Sequence, residues 1–245
     1  MSAPCRLLEW DTGFFGRRIA RLEVSPTPTA LADAAAWCRK HAIDCLYCLA
    51  VAADRDSAWT LEGEGFIARD LRIDFARPVP PAVALATAIR RWQPGDLERL
   101  EAIASEAFTV TRFTMDPHFP PDAVGRLYAT WIANSCRGYA DEVLVFDSGD
   151  GPAGFATLQL EHDRGGRIGL IGMASEARGR GAGSQLIAGA LAWFSANGRD
   201  EARVATQAAN VRAQRLYQQT GFVTCSASTW YHRWFDWTGT GDEAP

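Results

Sequence analysis

Arg178-Gly179-Arg180-Gly181-Ala182-Gly183 decides the fold, because it follows an apolar run ending at Met173 and leads into a helical pattern that begins near Gly183. A strand, a glycine-rich turn and a helix N-terminus together make an anion site. The glycines let successive backbone N–H groups face one point, and the helix dipole adds about half a positive charge there. A pyrophosphate suits such a place, although six residues alone also describe a tight turn between solvated arginines. Two other nucleotide fingerprints are excluded. The turn lacks the Gly-Lys-Ser/Thr ending of a P-loop. A dinucleotide fold needs Gly-x-Gly-x-x-Gly early in the chain and an acidic residue about 20 positions later. Here the spacing is Arg-x-x-Gly-x-Gly, it stands late, and Ser184 occupies the place of the third glycine.

Downstream, Leu186, Ile187, Ala190, Leu191 and Phe194 recur with helical period, and Asn197-Gly198 supplies a left-handed C-terminal cap. Arg203 to Thr206 forms a short strand. Val211 to Thr220 forms a second helix, ended by Gly221-Phe222. Asn210 and Tyr217 are seven residues apart, close to two turns, so both lie on one face of that segment. Taken singly, the asparagine is an N-cap and the tyrosine a core residue.

The chain has 245 residues, 47% of them hydrophobic, enough for one large domain or two small ones. A net charge of −4 argues against nucleic acid or a polybasic membrane contact. No apolar run approaches the roughly 20 residues that span a bilayer. Glu9 interrupts Met1 to Trp10 where a signal peptide is apolar, which places the protein in the cytoplasm. Of six cysteines, Cys45 and Cys48 form one Cys-x-x-Cys within a strand over Cys45 to Val51, where residues three apart face opposite ways. That favours buried free thiols over a metal or redox site. The four histidines, His41, His118, His162 and His232, form no triad or ligand pattern, so no metal is expected.

Ala76-Arg77-Pro78-Val79-Pro80-Pro81 cannot continue a helix and predicts a linker over 76–87. It separates an N-terminal half-domain over 1–75 from a catalytic domain over 88–237, with a flexible tail over 238–245. The second part opens with a strand at Ala88 to Arg91 and a helix after Pro94-Gly95-Asp96. A loop over Thr111 to Pro120 and a helix carrying Val124, Leu127, Tyr128 and Trp131 follow, then strands over Glu142 to Phe146, Ala153 to Glu161 and Arg167 to Met173. The first part echoes the second: a helix over Leu31 to His41, the strand over Cys45 to Val51, then Ala58 to Phe66 leading into Leu71 to Phe75. It lacks the glycine turn and has Leu61 where the second copy has Tyr217. It is therefore expected to be a degenerate copy; the alternative is an unrelated cap whose Gly-Phe recurs by chance.

Arg178-x-x-Gly181-x-Gly183 followed by Asn210-x6-Tyr217-x3-Gly221-Phe222 resembles the GCN5-related N-acetyltransferases. The resemblance implies an α/β (α+β) fold: a mixed, largely antiparallel central sheet flanked by helices, preceded by a smaller degenerate half-domain of similar type. It implies acetyl-CoA as co-substrate. Arg178, Gly179, Arg180, Gly181, Ala182 and Gly183 would hold its pyrophosphate, and Asn210 would lie along its pantetheine arm. Where the strand ending at Met173 splays from its neighbour, the N–H of Met173 or Ala174 would bind the thioester oxygen. Tyr217 would be the general acid beside the sulfur, a phenol's reference pKa of ~10 lying not far above a thiol's ~8.5. The base is left open among Glu161, His162, Asp163 and water.

Leu8 to Gly16, Arg112-Phe113, Gly125 to Ile132 and Arg203 to Gln207 are similar to the dTDP-fucosamine acetyltransferase family, a likeness running from Leu8 to Arg233. That implies acetylation of the 4-amino group of dTDP-4-amino-4,6-dideoxygalactose in synthesis of an enterobacterial-common-antigen type of polysaccharide. Trp10, Phe14 and Phe15, with Arg112, Phe113 and His118, would receive this nucleotide amino sugar, though such aromatics also fill cores. The chain departs from the family at Leu216, where a basic residue can precede the tyrosine; Arg215 is the alternative phosphate contact. A homodimer is compatible with this reading. Two alternatives stay open: acetylation of another amine, such as a different amino sugar, an aminoglycoside or a peptide N-terminus, and a non-catalytic acyl-CoA sensor.

Overall fold

A computed structural model describes residues 3–81 and 88–237. In chain order the elements are β1 (Cys5–Leu7), α1 (Glu9–Phe15), β2 (Ile19–Leu22), α2 (Pro28–Lys40), β3 (Cys45–Val51), α3 (Arg55–Gly63), β4 (Ile67–Pro78) and β5 (Ile89–Arg91). Then come α4 (Leu97–Ala107), α5 (Pro121–Asn134), β6 (Glu142–Asp147), β7 (Pro152–Leu160) and β8 (Gly165–Met173). The chain ends with α6 (Ala182–Ala196), β9 (Glu201–Gln207), α7 (Val211–Gln219) and β10 (Val223–Trp234). Among the described residues two compact units result: 3–72 with 227–237, and 73–81 with 88–226.

This division corrects the expected boundary. β4 continues through Ala76-Arg77-Pro78, and Val79 beyond it donates its N–H to Asp200 O at 2.8 Å while packing on the second unit's core. A proline has no N–H for a ladder, so Pro78 ends the strand without forcing a linker at 76. Residues 227–237, expected within the catalytic domain, belong to the first unit. The remainder of the expected linker, 82–87, and the tail 238–245 lie outside the described residues.

In the first unit β1 and β2 are antiparallel, β2 and β3 parallel, and β3 and β10 antiparallel. Cys45 and Cys48 are buried on β3, and neither is in a disulfide. The echo extends further than composition suggested. β3 and β9, and likewise β4 and β10, stand at one constant spacing of 156 residues (45 to 201, 67 to 223). Asp54 and Asn210 cap the intervening helices by accepting from Ser57 N and Ala213 N at 3.1 and 3.2 Å. Gly65 and Gly221 then take φ of 77° and 86°. Phe66 and Phe222 donate their N–H groups to Leu61 O and Tyr217 O at 3.0 and 2.9 Å. This is one left-handed helix ending built twice, with the aromatic folded back on the helix.

In the second unit β5, β6, β7 and β8 form an antiparallel series and β9 joins β8 in parallel. α6 buries Leu186, Ile187, Ala190, Leu191 and Phe194 in this unit's core, each large side chain worth roughly 1.5–3 kcal/mol. β8 is irregular at its middle. Its pairing with β7 shifts between Ala156 and Leu158, so Gly169 and Leu170 both oppose Thr157. The buried Thr157 hydroxyl accepts the Leu170 N–H at 2.8 Å, filling the gap in the ladder. A Cβ on Gly169 would stand 2.9 Å from that hydroxyl oxygen, so the bulge requires glycine there. Its structural worth is measurable. Thr157→Val keeps the shape but strands the Leu170 N–H, and is expected to cost about 1–3 kcal/mol of stability, whereas Thr157→Ser retains most of it. Equal unfolding free energies for the two variants would show that the hydroxyl bond does not hold the bulge.

Candidate active site

β8 ends at Met173, a short turn of 3₁₀ helix spans Ser175–Ala177, and α6 starts at Ala182 behind its N-cap Gly181. Gly179 and Gly181 both have φ of 79°. No heavy atom lies within 4 Å of a Cβ built on either, so left-handed backbone and not crowding calls for glycine. Gly181 offers no capping side chain, and the first turn of α6 has no acidic residue. Among the described residues, the first N–H groups of α6 therefore meet no side-chain acceptor, while Arg178 and Arg180 stand exposed beside them. Donors, dipole and guanidinium groups fit a pyrophosphate. The equivalent helix of the first unit does not: the Thr27 hydroxyl accepts from Ala30 N at 3.2 Å, and Pro28 removes a donor. A Cβ on Gly183 would meet Leu216 at 3.0 Å, so Leu216 packs over the first turn of α6.

Met173 lies where β8 leaves β9. Their parallel pairing runs from Gly165↔Glu201 to Ile168↔Val204 and stops there, although β8 continues to Met173 and β9 to Gln207. The opening starts at the bulge. Ala174 donates its N–H to Ala153 O at 2.9 Å, which corrects its assignment as an oxyanion donor. Because bonding directions alternate along an antiparallel strand, the N–H groups of Ile171 and Met173 point away from β7, into the opening beside β9. Met173 remains the candidate.

Tyr217 is 2% exposed and sits among Phe75 and Phe222, its ring centroid 5.6 Å from that of Phe75. Burial pushes its hydroxyl well above the ordinary tyrosine value, further from a thiol's than the reference comparison assumed. The phenol is thus protonated across the neutral range. Arg77 fixes the end of α7 by donating to Thr220 O. Asn210 accepts the Ala213 N–H with its Oδ1 and donates its own N–H to Gln207 O, so its Nδ2 amide is the group it could offer a ligand.

Glu161, His162 and Asp163 do not reach this end. They sit at the hairpin before Gly165, about 26 Å along β8 from Met173 at ~3.3 Å per residue. Glu161 is ion-paired with Arg167 and with Arg203, the latter at 2.8 Å. Hydrogen bonding from Arg203 holds the Asp163 carboxyl below its ordinary range, making it a poor base. Among the acceptor candidates, Phe113 is 2% exposed, packed by Phe119 and Trp131 with the Arg112 guanidinium over its ring at 4.5 Å. It is a core residue, against the expectation that it receives the nucleotide amino sugar. His118 is half exposed, its Nδ1 2.8 Å from the buried carboxylate of Asp116. Trp10, Phe14 and Phe15 belong to α1 of the first unit, where Trp10 stacks on Phe14 with centroids 5.3 Å apart. Sequence reasoning missed Asp116 and Thr157. Four glycines within β8, Gly165, Gly166, Gly169 and Gly172, were the available signal for the latter. No group of three or more metal-ligating side chains occurs among the described residues.

Comparison with known proteins places the chain among acetyltransferases. The acetyltransferase (GNAT) family model matches residues 97–222. dTDP-fucosamine acetyltransferase of Escherichia coli O6:H1 is 34% identical over 233 residues, 92% of this chain and 96% of that protein. The spore coat polysaccharide biosynthesis protein SpsD of Bacillus subtilis is 29% identical over 143 residues, 58% of this chain and 49% of that protein. A crystal structure of a GCN5-related N-acetyltransferase from Sphaerobacter thermophilus shares the fold, with a TM-score of 0.65, 18% identity and coverage of 94% and 76% of the two chains.

Gly181 gives the direct test of the turn. An L-residue held at φ of 79° costs roughly 1–2 kcal/mol, so Gly181→Val should weaken coenzyme A binding by about 5- to 30-fold or more in calorimetry. Unchanged affinity in a folded Gly181→Val protein would remove the turn from the pyrophosphate site.

Proposed function

The chain belongs to the GNAT acetyltransferase family, and from that premise we propose that it transfers the acetyl group of acetyl-CoA to the 4-amino group of dTDP-4-amino-4,6-dideoxy-D-galactose. The reaction would serve synthesis of a cell-surface polysaccharide and proceed in the cytoplasm. The observation that carries the reading is the opened strand pair: β8 keeps running past Ile168 without β9 and leads through the glycine turn into the uncapped α6. The enzyme class is acyltransferase. The likeness to the E. coli enzyme over nearly its whole length supports the acceptor.

When bound, acetyl-CoA supplies an acyl thioester. The acceptor amine attacks its carbonyl carbon, the C–N bond forms, negative charge gathers on oxygen, and the C–S bond then breaks. The Met173 N–H, preset by the bulge, donates to that oxygen as charge develops. Tyr217 donates its proton to the departing sulfur. Burial keeps the phenol protonated across the neutral range but makes it a weaker acid than a free tyrosine. Water takes the amine's proton in this reading, since the carboxylates considered lie at the other end of β8. The α6 turn holds the phosphates, and Asn210 Nδ2 addresses the arm.

Tyr217→Phe removes one hydroxyl and little volume. It is expected to lower kcat by about 10²–10⁴-fold while acetyl-CoA affinity stays within about twofold. A tyrosine that only satisfied the core would instead lose about 1 kcal/mol of stability and keep its turnover, so melting temperature is measured beside kcat. Thiol release on a panel of dTDP- and UDP-amino sugars identifies the acceptor. Turnover on amines other than the dTDP sugar alone would reassign the substrate, and none on any amine would favour a sensor.

A further inference from the structure

We infer that Arg178 is a positioning residue for acetyl transfer, acting through the peptide between Met173 and Ala174 in addition to any contact with phosphate. This rests on the reading above. Arg178 Nε donates to Met173 O at 3.2 Å. The N–H of the same peptide, on Ala174, donates to Ala153 O at 2.9 Å. That peptide is therefore held at both edges, by β7 on one side and by the glycine turn on the other. Strand geometry directs the Met173 carbonyl and the Met173 N–H to the same side, into the opening beside β9. Fixing the carbonyl thus limits rotation at Met173 and the play of the N–H that meets the oxyanion. The backbone of Arg178 also donates, to Ser175 O at 3.3 Å, so the residue belongs at once to the anion turn and to the strand end. Occupation of the turn by an anion would consequently be felt at the oxyanion donor, across one side chain.

Arg178→Ala and Arg178→Gln separate the two roles. Glutamine places an amide N–H at the reach of Nε but carries no charge. For full-length protein assayed by thiol release, Arg178→Ala should raise KM for acetyl-CoA and also lower kcat at saturation by about 5- to 10-fold, the loss of one ordinary hydrogen bond. Arg178→Gln should raise KM alike yet keep kcat within about twofold of the parent. The Ala174 amide ¹⁵N resonance, whose peptide carries the Met173 carbonyl, should shift in Arg178→Ala and hold its place in Arg178→Gln. A change in KM alone for Arg178→Ala, an equal kcat loss in both variants, or an Ala174 resonance that is the same in all three proteins would overturn the inference. If the parent protein releases no thiol with any acceptor, the acetyl-transfer reading fails, and the Ala174 resonance still decides the contact.

Discussion

The hydrogen bond from Leu170 N to the Thr157 hydroxyl is the constraint on which the rest depends. A strand buried inside a sheet loses about a hydrogen bond's worth of free energy for each donor left without an acceptor, so a bulge there survives only if something fills it. Thr157 does so, and Gly169 leaves room for it. With the irregularity stabilised, β8 parts from β9 just beyond Ile168, and the sheet gains backbone donors on that edge that no longer pair with β9. In the proposed reaction a neutral scaffold thereby presents oriented dipoles to the thioester carbonyl without burying a charge, which would cost far more.

The second half of the arrangement is the start of α6. Its contrast with α2 is informative because both helices come from the same chain and the same sequence pattern. One terminus is closed by Thr27 and Pro28; the other is opened by Gly179 and Gly181. In the proposed reading a difference of a few residues makes one copy a scaffold and the other a ligand site, while the helix endings at Phe66 and Phe222 stay alike.

What could be read from sequence was what is local. Turn glycines, the seven-residue step from Asn210 to Tyr217 and the Gly-Phe ending each express their geometry within one or two turns of chain, and all three sit where the spacing placed them. The bulge was not legible, since it depends on which residue of β7 faces Gly169, a matter of register between strands. The same applies to Ala174, whose N–H is consumed by Ala153, and to Phe113, which carries a binding-site composition but a core environment. The boundary at 72 and 73 was missed because a proline run signals a break, and Pro78 merely ends a strand.

The open terminus of α6 has a thermodynamic consequence beyond catalysis. Donors that α2 satisfies internally are, in α6, left to be satisfied from outside, so part of the protein's folding free energy resides in the solution around it. A ligand that binds only the folded chain adds RT ln(1 + [L]/Kd), about 2.7 kcal/mol at a hundredfold excess over Kd. In this reading the resistance of the enzyme to unfolding and turnover follows the cell's acetyl-CoA level. A shortage of the acyl donor would then reduce the amount of enzyme as well as its rate.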